Sequence, residues 1–338
     1  MAIGKAYDSI KGLSPVDNLT KATLKEALPE WIENNASELI TASVFEAMST
    51  KLFSTQTGVT APTQINLLDT SVTFGDGADC GFTNGVDQVI SQRTIVPGYM
   101  KVNGEWCDKE FLDTFAHHLV KMAAGNETLP FEQWFISDVI AKIGEELEKC
   151  IWQGDTTLAS GNLKSFDGLL KIMKADVPAA NVVTSALTGT DTFADIWTVY
   201  EAIPANILND AVIYVGRETY RNLIKDMTFN TSKIALAYNY DREMNKAMEM
   251  ILPGTNTMVK AVNGLDNTGA IVACLPSHIF YGVDQVSDHE TFKFWFSDDA
   301  DQFRMKVTFS AGVQIARPEE VVYGFIPNGS GSGSGNGQ

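Results

Sequence analysis

The stretch LPFEQWFISDVIAKIGEELEKCIWQGD, residues 129–155, decides how the chain is read. Phe131, Trp134, Phe135, Val139, Ile143, Leu147, Cys150 and Ile151 recur at intervals of three and four, the spacing of one helix face. Ser137, Asp138, Lys142, Glu145, Glu146 and Lys149 fill the other face. The pattern predicts a helix from about Pro130 to Trp152, ~33 Å long at 1.5 Å per residue. That is well above the usual three turns. Gly154 stands where a left-handed C′ residue would seal the helix end. Trp152 is expected to plug the packing there, and Asp155 to begin the loop.

Outward from this rod the elements fall into an order. On the N-terminal side, Pro15 and Pro29 break residues 1 to about 33 into an arm or short helical pieces. A helix is expected to follow, with Asn35 and Glu38 as a capping box and Leu39, Ile40, Val44, Met48 and Leu52 at helical spacing. Between Gly58 and Trp106 the pattern changes to short apolar runs broken by Gly75, Gly77, Gly81, Gly85, Gly98 and Gly104, which reads as strand and turn. About 50 residues without a helix is too long for a plain connection, so a projecting β-hairpin or loop is expected. Asp108 can cap a helix carrying Phe111, Leu112, Phe115, Leu119 and Met122, ended by Gly125-Asn126.

On the C-terminal side, a helix with Phe193, Ile196, Trp197, Tyr200 and Ile203 precedes the strand AVIYV (211–215) and a helix with Tyr220, Leu223, Ile224 and Met227. Helix–strand–helix order argues for an α/β module. Strands are expected at 258–262, 270–275, 292–296 and 303–315, with QFRMKVTFSAGVQIARPEEVVYG (302–324) read as a half-buried antiparallel pair. The last residues, NGSGSGSGNGQ, are expected to be a flexible tail.

The search for chemistry yields little. His117 and His118 are adjacent on a helix and point about 100° apart, so they cannot share a metal as residues i and i+4 do. Together with His278 and His289 they read as core-edge or solvated histidines. Asp76 and Asp79 lack the alternation a calcium loop needs. There is no phosphate-cradling GxxxxGK[ST], no GxGxxG and no GxSxG. Glu145, Glu146 and Glu148 read as a solvated face or a subunit contact. Cys107, beside Trp106, reads as a buried thiol without a histidine partner. No catalytic, cofactor-binding or metal residue is assigned and no cofactor is expected.

Composition narrows the classes further. With 25 basic and 42 acidic residues the chain carries a net charge of −17, no footprint for gripping DNA or an anionic membrane. The four scattered cysteines read as reduced thiols. The N-terminus has no apolar signal core, and no apolar run approaches the ~18 residues of a membrane span.

Taken in order, the arm, the β-rich extension, the long helix ending IWQGD, the α/β module and the closing strands resemble the major capsid proteins of tailed bacteriophages, with the Hong Kong 97-type fold. The strongest local matches are residues 129–155 and DADQFRMKVTFSAGVQIARPEEVVYG (299–324). The resemblance implies an α+β chain in five parts. Residues 1–57 are the N-terminal arm and helix, and 58–108 the extended loop that lies over a neighbouring subunit. Residues 109–175 with 303–325 are the peripheral domain around the spine helix, and 176–302 the axial domain. Residues 326–338 are the tail. It implies a shell of pentamers and hexamers that encloses double-stranded DNA without binding it specifically, assembled in the host cytoplasm and located in the virion. Scaffold, portal and decoration proteins are the possible partners. With Met1 only about 30 residues before the first helix, the expectation is that the chain has no long scaffolding segment, or that a separate scaffold supplies it. Arg93, Tyr99, Trp106, Trp152 and Glu145 are the candidate subunit contacts. An encapsulin-type compartment shell, and an α/β enzyme or binding protein with an unrecognised site, are the two rival readings.

Overall fold

The structure is a computed structural model, and it describes residues 21–74, 85–110, 113–114, 117–118, 131–229, 248–284 and 291–327. The expected positions at Cys80, Asp76, Asp79, His289, the apolar face of the helix after Asp108 and the Gly/Ser tail lie outside these residues. In chain order the main elements are α1 (Lys21–Phe45), β1 (Ser54–Thr57), β2 (Thr63–Val72), β3 (Val86–Ile95), β4 (Gly98–Cys107), α2 (Phe131–Gln153), α3 (Leu169–Asp176), α4 (Thr192–Glu201), β5 (Val212–Val215), α5 (Arg217–Phe229), β6 (Glu249–Ile251), β7 (Met258–Ala261), β8 (Ala270–Cys274), β9 (Ile279–Val283), β10 (Thr291–Ser297), β11 (Gln302–Ile315) and β12 (Val322–Phe325). The chain divides into two compact units, residues 1–40, 101–139 and 291–308, and residues 41–100, 140–290 and 309–338.

In the first unit α1 runs straight through Pro29. The expected break does not occur, although a helical proline gives up a hydrogen bond and crowds the preceding turn. Leu28 and Ile32, on either side of it, are completely buried, and that burial offsets the loss. Asn35 is therefore an interior residue whose amide donates to Trp31 O at 2.7 Å, rather than a cap. The antiparallel pair β10–β11 runs from Thr291↔Thr308 to Ser297↔Gln302. Its inner face, Phe292, Phe294, Phe303, Met305 and Val307, is buried. Trp106 completes this core, edge-on to Phe135 at 5.1 Å and stacked on Phe294 at 6.2 Å.

In the second unit the α/β module forms as expected. Its sheet has the order β12-β8-β5-β7-β6. β5 is parallel to β7 and antiparallel to β8. Ile196 and Val199 of α4, with Tyr220 and Leu223 of α5, join Ile213, Val259 and Ile271 in one buried cluster. Asp191 caps α4, its carboxylate accepting from Ala194 N at 3.0 Å. β11 and β12 were expected to pair with each other. Instead β12 pairs with β8, while residues 311–315 of β11 pair with β9. The turn at Pro318–Glu320 redirects the chain from one sheet to the other.

The α2 helix ends one residue beyond expectation, at Gln153. Gly154 does not take the left-handed conformation. It is a glycine because of space. A Cβ there would meet Phe166 O and stand 2.6 Å from Cys150 O. Gly168, at φ −82°, approaches from the other side, and its N–H donates to Gly154 O at 2.8 Å. A Cβ on Gly168 would stand 2.8 Å from Cys150 O and 2.9 Å from Trp152 C. Every neighbour is backbone and cannot rotate aside. Gly168→Ala is therefore expected to lower stability by roughly 1–3 kcal/mol, the range for an overpacked site. Urea unfolding of the purified chain checks this, and an unchanged midpoint would show that the crossing can open without cost.

Candidate subunit-contact surface

Two of the three cysteines within the described residues are inert by placement. Burial, with the nearby Glu146 charge, pushes the Cys150 thiol up to about 11, and burial alone pushes Cys274 up to about 12. Cys107 is exposed, not buried as expected, because Trp106 takes the inward position on β4. Iodoacetamide at pH 8 with peptide mapping should label Cys107 in the folded chain and reach Cys150 and Cys274 only in denaturant, since the thiolate is the reactive form. Labelling of Cys150 as fast as Cys107 would contradict this placement.

Among the described residues no group of three His, Cys, Asp or Glu could hold a metal, and no helix is long and apolar enough to cross a membrane. His117 is exposed, while His118 is buried against the Trp134 ring at 5.0 Å. His278 Nδ1 lies 2.9 Å from Glu320 Oε2, although the angles do not make a hydrogen bond. Burial holds this histidine below its ordinary value, against the pull of Glu320.

What the fold does build is a surface. β2 and β3 form a two-stranded antiparallel ladder from Thr63↔Ile95 to Val72↔Val86. Residues directly opposite share a face, so the register sorts the hairpin into two sides. One side, at the hairpin base, is fastened to its own chain. Ile65 and Ile95 are buried with Val59. Arg93 pairs with Asp176 at 2.6 Å, and Asp69 with Arg317 at 2.6 Å. Gln314 Nε2 donates to Thr94 O at 2.8 Å.

The other side is open. Leu68 and Ile90 are directly opposite, 55% and 69% exposed, and Val72 and Val86 are opposite, 57% and 47% exposed. Phe74, just past β2, is 93% exposed. Two exposed apolar pairs on one side, with Thr70 and Gln88 between them and Phe74 beyond them, mark a candidate interaction surface. A two-stranded ribbon is also marginal alone, so a covering partner adds to its stability.

Solved structures share the overall fold. No protein-family model matches the sequence, and no curated protein matches it. The chain is similar to a chain of the satellite phage P4 procapsid at a TM-score of 0.57 and 11% identity, covering 95% of each. It is similar to the capsid of an empty GTA particle at 0.56 and 11%, over 83% of this chain and 90% of that one. A protein of Microbacterium phage Oxtober96 gives 0.54 and 12%, over 82% and 90%. The fold is that of the phage capsid proteins.

On the capsid fold the five expected contact residues separate. Tyr99 is 58% exposed, and Glu145 is exposed and paired with Lys142 at 2.9 Å. Arg93 is half-buried and engaged with Asp176 of its own chain. Trp106 is half-buried in its own aromatic cluster. Trp152 is withdrawn from the candidates, because it is fully enclosed by its own chain and offers nothing to a neighbour. Its indole N–H lies 2.7 Å from Ser49 Oγ and 3.2 Å from Glu148 Oε1. Phe53 meets its ring edge-on at 5.8 Å, and Tyr214 lies at 5.5 Å.

Glu148 corrects the reading of the acidic cluster. Glu145 and Glu146 face solvent beside Lys142 and Lys149, but Glu148 is buried. It accepts from Ser49 N at 2.8 Å and Ser49 Oγ at 2.6 Å. Burial pushes its carboxyl above the usual carboxylate range, and the Ser49 hydrogen bonds oppose that push. Sequence reasoning also passed over Leu68, Ile90 and the Val72–Val86 pair in favour of aromatic and basic residues. The signal that finds them is register: pairing the two runs puts these four on one side.

Proposed function

We propose that this chain is the structural subunit of an icosahedral phage capsid, one that builds a shell from copies of itself and performs no catalysis. The capsid fold and the exposed apolar pairs of β2–β3 support this together, and the pairs carry it. Exposed apolar pairs gain free energy when they are covered, and in a shell that cover is the next subunit. In this reading residues 58–108 are the extended loop lying over a neighbour. Residues 109–175 with most of 303–321 form the peripheral domain. Residues 176–302 form the axial domain together with β12, which is hydrogen-bonded to β8. Pentamers and hexamers close the shell, and scaffold, portal and decoration proteins are its candidate partners. Double-stranded DNA is enclosed rather than gripped, in keeping with the −17 charge.

Light scattering and negative-stain microscopy of the purified chain test the reading, alone and with a scaffold. Closed shells or their pentamers and hexamers are expected. A stable monomer under every condition would overturn it, and shells that hold an enzyme instead of DNA would favour a compartment.

A further inference from the structure

The outer face of the first unit's sheet carries charge of the rarer sign. β10 and β11 place Lys293 opposite Lys306 and Trp295 opposite Arg304. Phe292, Phe294, Met305 and Val307 point to the buried side, so these four share the outer one. β4 joins β11 on its other flank. Glu105 lies 3.9 Å from Arg304, and Asp108 N donates to Asp301 O at 3.2 Å, so β4 runs antiparallel to β11. Two-residue alternation from Glu105 puts Lys101 on this outer face, where it is exposed. Among the described residues no carboxylate is within ion-pair range of Lys101, Lys293 or Lys306. Trp295 is 40% exposed beside them.

Two features argue that the face has a partner. Like charges directly opposite on a ladder repel, so the Lys293–Lys306 pair weakens the free subunit. Three unpaired lysines, an arginine and a half-exposed tryptophan are also concentrated on one face of a chain with 42 acidic residues and 25 basic. We infer that the Lys101–Lys293–Lys306–Arg304–Trp295 face is a docking surface for the acidic surface of a second copy of this chain.

A second copy fits better than nucleic acid. Copies at −17 repel one another overall, and a cationic face gives one favourable orientation in which to meet. Glu105 within the face and the exposed Asp298, Asp299 and Asp301 at its end call for basic groups opposite them, which a protein surface carries among its acids and a phosphate backbone does not. The tryptophan supplies the apolar anchor that interfaces concentrate near their centre. The inference rests on the shell reading for its setting and adds to it a specific, salt-sensitive contact.

The test follows self-association of the full chain by analytical ultracentrifugation and light scattering across a sodium chloride series. Lys293→Glu/Lys306→Glu and Lys293→Gln/Lys306→Gln run in parallel, with a labelled DNA duplex as a second titrant. The wild-type chain should associate, and less so as salt rises. The glutamine pair should need more protein, and the glutamate pair about tenfold more or beyond, a loss of 1.4 kcal/mol or greater. The glutamine pair should melt no lower than wild type, because it removes a repulsion. Association of the glutamate pair at wild-type concentration overturns the docking face and leaves the shell reading standing. Salt-sensitive small oligomers that never close, abolished by the glutamate pair, uphold the face and overturn the shell. Duplex binding that the glutamate pair abolishes, with self-association unchanged, assigns the face to nucleic acid and overturns the inference. A wild-type chain that stays monomeric throughout overturns both.

Discussion

Trp152→Ala is expected to cost roughly 3–5 kcal/mol, the range for deleting a fully buried aromatic. The indole is completely enclosed and touches Phe53 and Tyr214. Its N–H also reaches Ser49 Oγ, which donates to Glu148. Alanine would leave a cavity and remove one of the groups that hold a buried carboxylate. Unsatisfied buried polar groups add their own penalty to the lost packing. Trp152→Phe separates the two contributions, keeping most of the volume and losing the donor. Urea unfolding followed by circular dichroism gives both values. An alanine variant as stable as wild type would show that the end of α2 is not a packing centre.

The second large effect is on assembly. Leu68→Asp with Ile90→Asp should leave the isolated subunit close to wild type in stability, since both side chains are more than half exposed and exposed positions usually change by about 0.5 kcal/mol or less. Covering two carboxylates beneath a neighbour is a different matter. A desolvation cost of about 3 kcal/mol or more raises the protein concentration needed for assembly by roughly 100-fold or beyond. Light scattering of refolded subunits measures it. Normal shells at wild-type concentration would remove this side of the hairpin from the contact. The result is distinguishable from a folding defect because the melting curve is recorded on the same samples.

The fold was legible where periodicity was long. Residues 131–153 carry enough repeats to announce a helix, and the strand at 212–215 between two helices announces its module. Errors came where a local rule met a tertiary override. Pro29 and Asn35 both carry helix-boundary signals, and burial of Leu28 and Ile32 carries the helix through them. Gly154 was read for its conformational freedom, whereas the structure uses its missing side chain. Glu148 looked like its neighbours Glu145 and Glu146, because nothing nearby reveals that Ser49, 99 residues away, donates to it. The contact surface was legible in part. The extension was expected, but choosing its residues needs the register of β2 against β3, and ten-residue runs of mixed polarity do not fix a register by themselves.

The backbone crossing of Gly154 and Gly168 has a further consequence for engineering. Between them the chain leaves α2, passes the exposed residues 156–162 and returns, with Gly161 at φ +105°. The base of this excursion is stitched shut. Asp155 N donates to Leu163 O at 2.7 Å, and Lys171 bridges Asp155 and Asp167 at 2.8 and 2.6 Å. Lys171 also holds the Asp155 carboxyl down at about 2, so the bridge keeps its charge through mildly acid conditions. A loop closed at its neck does not pass a change at its tip into the core. Doubling its length adds only about 0.6 kcal/mol of closure entropy. Inserting a foreign peptide at residues 158–160 is therefore expected to leave the urea-unfolding midpoint close to wild type.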